Sequence, residues 1–124
     1  MTPVNRLIRE RGFRKWYERE LLAGHSHLVL LLLCTLALLG ALEVFSQRSG
    51  AERWAVAASF AVAGLLGAWA MRRYLFHLLR AERLANQASC PRCRAYARWA
   101  VERDDTEALD VRCRDCSERW RIDC

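Results

Sequence analysis

The feature that most constrains this chain is a pair of apolar runs from which charge is missing. No charged residue lies between Leu28 and Leu42, and none lies between Trp54 and Met71. A helix rises 1.5 Å per residue, so the second run is roughly 27 Å long, close to the thickness of a bilayer's hydrocarbon core. With Leu21, Leu22, Val44 and Phe45 added, the first run reaches the ~20 residues a crossing requires. A charge at mid-membrane is costly, so His25 and His27 near the start of that run, and Glu43 near its end, are expected at the two interfaces. Residues 46–53 (Ser-Gln-Arg-Ser-Gly-Ala-Glu-Arg) form a short, turn-prone connection, which forces neighbouring helices antiparallel. Residues 21–85 therefore read as a two-span transmembrane hairpin with a helical extension beyond the bilayer. A cleaved signal peptide fits poorly: the leader is long, no small-x-small cleavage site follows, and a second span comes at once.

Averaged over the chain, composition conceals this division, with 53% apolar and 27% charged residues. The net charge of +6 is unevenly placed. The surplus lies in Arg6, Arg9, Arg11, Arg14, Lys15 and Arg19 before the first run, and in Arg72, Arg73, Arg80 and Arg83 after the second. The stretch 43–53 and the tail 90–124 are each neutral. Basic flanks on both outer sides place both termini in the cytoplasm, and suit a lipid surface better than a nucleic acid. One lysine, Lys15, against nineteen arginines suggests a GC-rich bacterial genome, hence an inner-membrane location.

Residues 1–20 read as a basic interfacial helix, broken at Gly12, with Val4, Leu7 and Ile8 on one face and Phe13, Trp16 and Tyr17 on another. A frayed leader is the plainer alternative. In the second span, Ser59, Ala63, Gly67 and Ala70 recur at helical spacing. Such small-residue faces let helices approach closely, either within the hairpin or in a homodimer. Trp54 suits one interface, Trp69 and Tyr74 the other. After the second span, Leu75, Leu78 and Leu79 make an apolar stripe, and residues 86–89 read as the helix end and a short linker.

The chemically specific motif is Cys90-Pro-Arg-Cys93, nineteen residues, then Cys113-Arg-Asp-Cys116. That spacing falls in the range of zinc sites. Each C-x-x-C turn presents two thiolates on one side, and two facing turns supply the four sulfurs of a tetrahedral ion. Between them, Ala95, Ala97, Trp99 and Val101 alternate with polar residues, Arg103 to Thr106 forms a turn, and Ala108 to Arg112 returns. Trp120 and Ile122 continue as a third short strand. So small a segment buries too little apolar surface to fold alone, and metal is expected to supply much of its stability. The expected fold is α plus a small β domain: an interfacial helix, a transmembrane hairpin and a zinc-ribbon β-hairpin over residues 90–124.

Cys90-Pro91-Arg92-Cys93 and Val111-Arg112-Cys113-Arg114-Asp115-Cys116, with Trp120 four residues on, resemble the short prokaryotic zinc ribbons with rubredoxin-like knuckles. The likeness is confined to the tail, and it implies Cys90, Cys93, Cys113 and Cys116 as ligands of one structural Zn²⁺. Such knuckles usually carry glycine after the second cysteine, where the backbone is left-handed. Arg94 and Ser117 stand there, at a cost of about 1 kcal/mol each. Iron in a rubredoxin-like site and dithiol redox chemistry are the alternatives.

Other residues invite chemistry without arranging it. His25, His27 and His77 lack the i, i+4 spacing of a ligand pair and read as interfacial. Cys34 reads as a small lipid- or helix-facing residue, and Cys124 as a spare thiol. There is no nucleophile–base arrangement, phosphate loop or pair of catalytic carboxylates. The expected function is non-enzymatic: a bilayer-anchored ribbon that serves a protein partner, with Tyr96, Trp99 and Trp120 as contacts or as the ribbon's own core, or an accessory subunit of a membrane complex. Nucleic-acid binding meets a neutral tail that a zinc tetrathiolate makes more negative. An oxidoreductase would need the iron or dithiol chemistry.

Overall fold

A computed structural model describes residues 4–105 and 107–124. The elements run α1 (Val4–Arg11), α2 (Phe13–Gln47), α3 (Ala51–Gln87), β1 (Trp99–Asp104), β2 (Ala108–Cys113) and β3 (Arg119–Asp123). They make two compact units. One is Leu22–His77; the other joins the chain up to Leu21 with Leu78–Cys124.

Leu22–His77 is a helical hairpin. The connection is Arg48-Ser49-Gly50, and Gly50 turns it with φ +67°. Arg48 bridges Glu52 at 2.7 Å, and the Arg53 guanidinium lies 4.3 Å from the centre of the Phe45 ring. The helices run antiparallel along small residues. A Cβ added to Gly67 would stand 3.3 Å from the Cβ of Cys34, and one added to Gly24 would stand 3.7 Å from that of His77. Ala70 is fully buried. Half of the small-residue stripe is thus consumed inside the hairpin, at Gly67 and Ala70, while Ser59 stays exposed and Ala63 half-buried. Cys34 is buried against Gly67, which makes it helix-facing.

Both long helices are apolar and long enough to cross a membrane, and only 6% and 11% of their most apolar 18-residue windows is buried. Leu22, Leu32, Leu39 and Leu65 are 72%, 59%, 59% and 74% exposed. A core helix of a soluble domain would bury these side chains; here no described residue covers them.

The second unit has a conventional core. β1, β2 and β3 form an antiparallel sheet in that order. Val101 faces Val111, and Val111 faces Trp120. Leu109, Val111 and Ile122 are buried beneath Val4, Ile8, Phe13, Trp16, Leu84, Ala88 and Trp99. The packing of Val4, Ile8, Phe13 and Trp16 on the sheet is a contact that the interfacial reading of residues 1–20 did not include. Gly12, with φ +84°, does break the helix as expected. Yet the apolar side of α1 and the aromatic residues that follow pack on the sheet. The physical reason is supply: the sheet has one apolar face and no helix of its own to cover it. Asn5, itself buried, donates from Nδ2 to the Asp105 carbonyl, and Arg9 bridges Asp104 at 2.9 Å. Phe13 sits 5.5 Å from Trp99 and 6.3 Å from Tyr96, ring centre to ring centre.

Residues 86–89 contain the expected helix end. α3 continues through Gln87, and Ala88 is fully buried. A helix end leaves carbonyls without partners; here two indoles supply them. Trp120 Nε1 donates to the Gln87 carbonyl at 3.0 Å and Trp99 Nε1 to that of Ala88 at 3.1 Å. The Gln87 side chain pairs with Asp123 through both amide groups, at 3.2 and 2.9 Å, and so covers part of the β3 edge. Residues 95–98, expected to begin the first strand, form a loop instead. Ala97 has φ +55°, and its N–H bonds the Ala88 carbonyl at 3.0 Å. The strand starts at Trp99. The expected turn ends on Thr106, which lies outside the described residues; Asp104 still belongs to β1.

Candidate metal centre

Two loops of the same construction bring the four cysteines together. In the first, Arg94 N–H bonds the Cys90 carbonyl at 3.0 Å, and Cys90 N–H bonds the Ala95 carbonyl at 3.0 Å. In the second, Ser117 N–H bonds the Cys113 carbonyl at 3.2 Å, and Cys113 N–H bonds the Glu118 carbonyl at 2.8 Å. Each loop closes through a left-handed residue, Arg94 with φ +59° and Ser117 with φ +63°. These are the positions where glycine was expected and is missing. An ordinary L-residue held there costs about 1–2 kcal/mol, which the packed loops retain.

The sulfurs converge. Sγ of Cys90 is 3.4 Å from that of Cys116, Sγ of Cys93 is 3.6 Å from that of Cys113, and all four lie within 4.8 Å of one another. A tetrahedron with arms of about 2.3 Å has edges of about 3.8 Å, so the donor set fits one tetrahedral metal ion. Among the described residues this is the one group of three or more Cys, His, Asp or Glu with such convergence. Cys90 and Cys113 are buried, Cys116 is half-buried and Cys93 is exposed.

The thiols are not equivalent. Burial pushes the Cys90 thiol up, but the N–H groups of Cys93 and Arg92 and the thiols of Cys116 and Cys93 outweigh it and bring it down to about 7. At Cys93, the Ala95 N–H favours the thiolate, but burial and the other three sulfurs prevail and push it up to about 12. Cys116 is also raised: the Glu118 N–H favours its thiolate, but burial with Cys90 and Cys113 outweighs that bond. Four sulfurs this close do not all ionise unaided, and a divalent cation would let them do so.

Comparison with protein-family models, curated proteins and solved structures returned no match. The cysteine cluster and its knuckle geometry are consistent with a zinc ribbon, and that likeness rests on the residues themselves.

The remaining flagged residues fall elsewhere. Trp99 is buried and Trp120 half-buried, each with its indole engaged, so they serve the core; Tyr96 stays 52% exposed. Cys124 is exposed at the end of the chain. Burial raises its thiol, with Asp123 adding and Arg80 opposing. His27 and His77, read as separate interfacial residues, meet across the hairpin with ring centres 5.4 Å apart. Their sequence separation hid this contact. The antiparallel register that pairs Gly24 with His77 could have revealed it.

Proposed function

We propose that the chain is a membrane-anchored zinc-ribbon protein without enzymatic chemistry, which holds a small rigid surface for a protein partner at the inner membrane of a bacterium, as a docking module or an accessory subunit. The observation that carries this reading is the closed set of four sulfurs. Four thiolates occupy every position of a tetrahedral ion, leaving none for water or substrate, so the site is structural. Zinc is the ion proposed because it accepts this geometry without preference. The uncovered apolar surface of α2 and α3 supports a bilayer as the first partner. The basic flanks support cytoplasmic termini and a cytoplasmic ribbon.

Five of the eight arginines in residues 90–124 have acidic partners. Arg92 bridges Glu118, Arg98 bridges Asp115, Arg112 and Arg119 both reach Glu102, and Arg121 reaches Asp105. Such internal compensation disfavours nucleic acid, which selects for free positive charge, and suits a partner read by mixed charge. The outer side of the sheet offers one place for it: a concavity of about 500 Å³ lined by Glu102, Arg103, Asp110, Arg119 and Arg121. Self-association through the small residues of α3 would have Ser59 and Ala63 left to use.

The test is affinity purification from native membranes, with metal analysis of the same samples. Arg103→Glu with Arg121→Glu is expected to lose the partner while keeping one zinc per chain, and Cys113→Ser to lose both. Equal recovery of the partner by all three proteins would refute the reading.

A further inference from the structure

The hairpin holds one buried cationic atom that nothing satisfies. Nε of Arg73 is enclosed and has no hydrogen-bond partner, and the guanidinium carbon lies 5.9 Å from the centre of the Trp69 ring. Trp69, Arg73 and His77 follow one another at i, i+4 and i+8, on a single face of α3. That face meets α2: the His27 ring centre is 5.4 Å from those of both Trp69 and His77. His27 Nδ1 lies 2.7 Å from the Ala23 carbonyl. A carbonyl can only accept, so Nδ1 carries the proton and Nε2 is left as the acceptor for a hydroxyl.

What is missing is a counter-charge. The acidic residues of Leu22–His77 are Glu43 and Glu52, which flank the α2–α3 connection at the opposite end. Glu52 is taken by Arg48. In the ribbon, by contrast, arginine after arginine has its carboxylate. A buried donor without a partner is expensive and calls for an ion or ligand. Arg73 also stands just past the charge-free run 54–71, where a spanning helix reaches the level of lipid phosphates. Basic recesses between helices at that level hold anionic headgroups.

We propose that the α2–α3 seam at His27, Trp69, Arg73 and His77 binds the phosphodiester of an anionic phospholipid, with Arg73 on the phosphate and His27 Nε2 accepting from a headgroup hydroxyl. The exposed side chains of Leu65, Leu66 and Trp69 give acyl chains a surface that free phosphate would not use. The site rests on the reading of α2 and α3 as membrane spans.

The test uses the full chain in neutral detergent micelles, incubated with phosphatidylglycerol, phosphatidylcholine or inorganic phosphate and read by native mass spectrometry. Phosphatidylglycerol should be retained about tenfold more tightly than phosphatidylcholine, the scale of a charge-assisted bond. Arg73→Gln should erase that preference, Arg73→Lys should keep part of it, and Arg72→Gln, which removes an exposed charge beside the seam, should leave it intact. Equal retention of the two lipids, or equal loss in Arg72→Gln and Arg73→Gln, would overturn the site in favour of plain surface charge. Displacement of the lipid by inorganic phosphate would overturn a lipid as the occupant. Alkaline extraction of the membranes from which the chain is purified separates the two failures. A chain stripped into the supernatant overturns the spans and the site together, whereas an integral chain without the preference overturns the site alone.

Discussion

The two units of this chain use apolar side chains in opposite ways. In the ribbon unit, Leu109 and Val111 are 0% exposed and Ile122 is 1%. In the hairpin, Leu65 and Leu22 are among the most exposed residues. The ribbon unit buries a core of its own; the hairpin leaves its apolar surface uncovered. The difference shows in side-chain size. Close approach of α2 to α3 runs through Gly24, Gly67 and Ala70, small residues that let two helix backbones come near each other. The ribbon unit is filled by Trp16, Phe13, Leu84 and Trp99, as suits a core that water drives together.

The largest contrast should follow metal removal. Structural zinc contributes on the order of 10 kcal/mol at neutral pH. A chelator, or Cys90→Ala with Cys113→Ala, should therefore open the ribbon unit to protease between residues 90 and 124 while helical circular dichroism of the hairpin in micelles persists. Because Cys93 and Cys116 are raised, ligation must displace their protons. Zinc affinity should accordingly fall as pH is lowered from about 8 to about 6, measured by competition with a chromophoric chelator. Next in size, Trp16→Ala should destabilise the ribbon unit by about 3–5 kcal/mol, whereas Leu65→Ala in the hairpin should cost less than about 0.5 kcal/mol, both read by denaturant titration in micelles. Equal effects would dissolve the comparison. Gly67→Val tests the other mode of packing. Its added Cβ meets Cys34 Cβ at 3.3 Å, and overpacking of this kind costs about 1–3 kcal/mol, read as a lower melting temperature of the hairpin. Smallest, and opposite in sign, Ser117→Gly should stabilise the ribbon unit by about 1 kcal/mol, because φ +63° suits glycine.

Cysteine spacing made the four-cysteine cluster legible, because two C-x-x-C turns determine their own local geometry. The strained positions at Arg94 and Ser117 were legible for the same reason, as was the helix break at Gly12. Partnership was harder to read. Val4, Ile8, Phe13 and Trp16 form a pattern that says they are covered, but lipid and a β-sheet satisfy that pattern equally well. The contact that decides it, Asn5 to Asp105, spans 100 residues of sequence. The seam at Arg73 was hidden similarly, since His27 and His77 lie far apart in sequence until the hairpin register is known. Ala97 gave no signal at all: nothing in its type marks a left-handed backbone. Its conformation is imposed by the hydrogen bond to Ala88.

X-ray absorption at the metal edge of the intact purified chain addresses the four-sulfur centre without intermediaries. One zinc per chain with four sulfur neighbours at about 2.3 Å is the expected result. A shell containing nitrogen or oxygen, an iron edge in place of zinc, or a chain that carries no metal and four titratable thiols would contradict it.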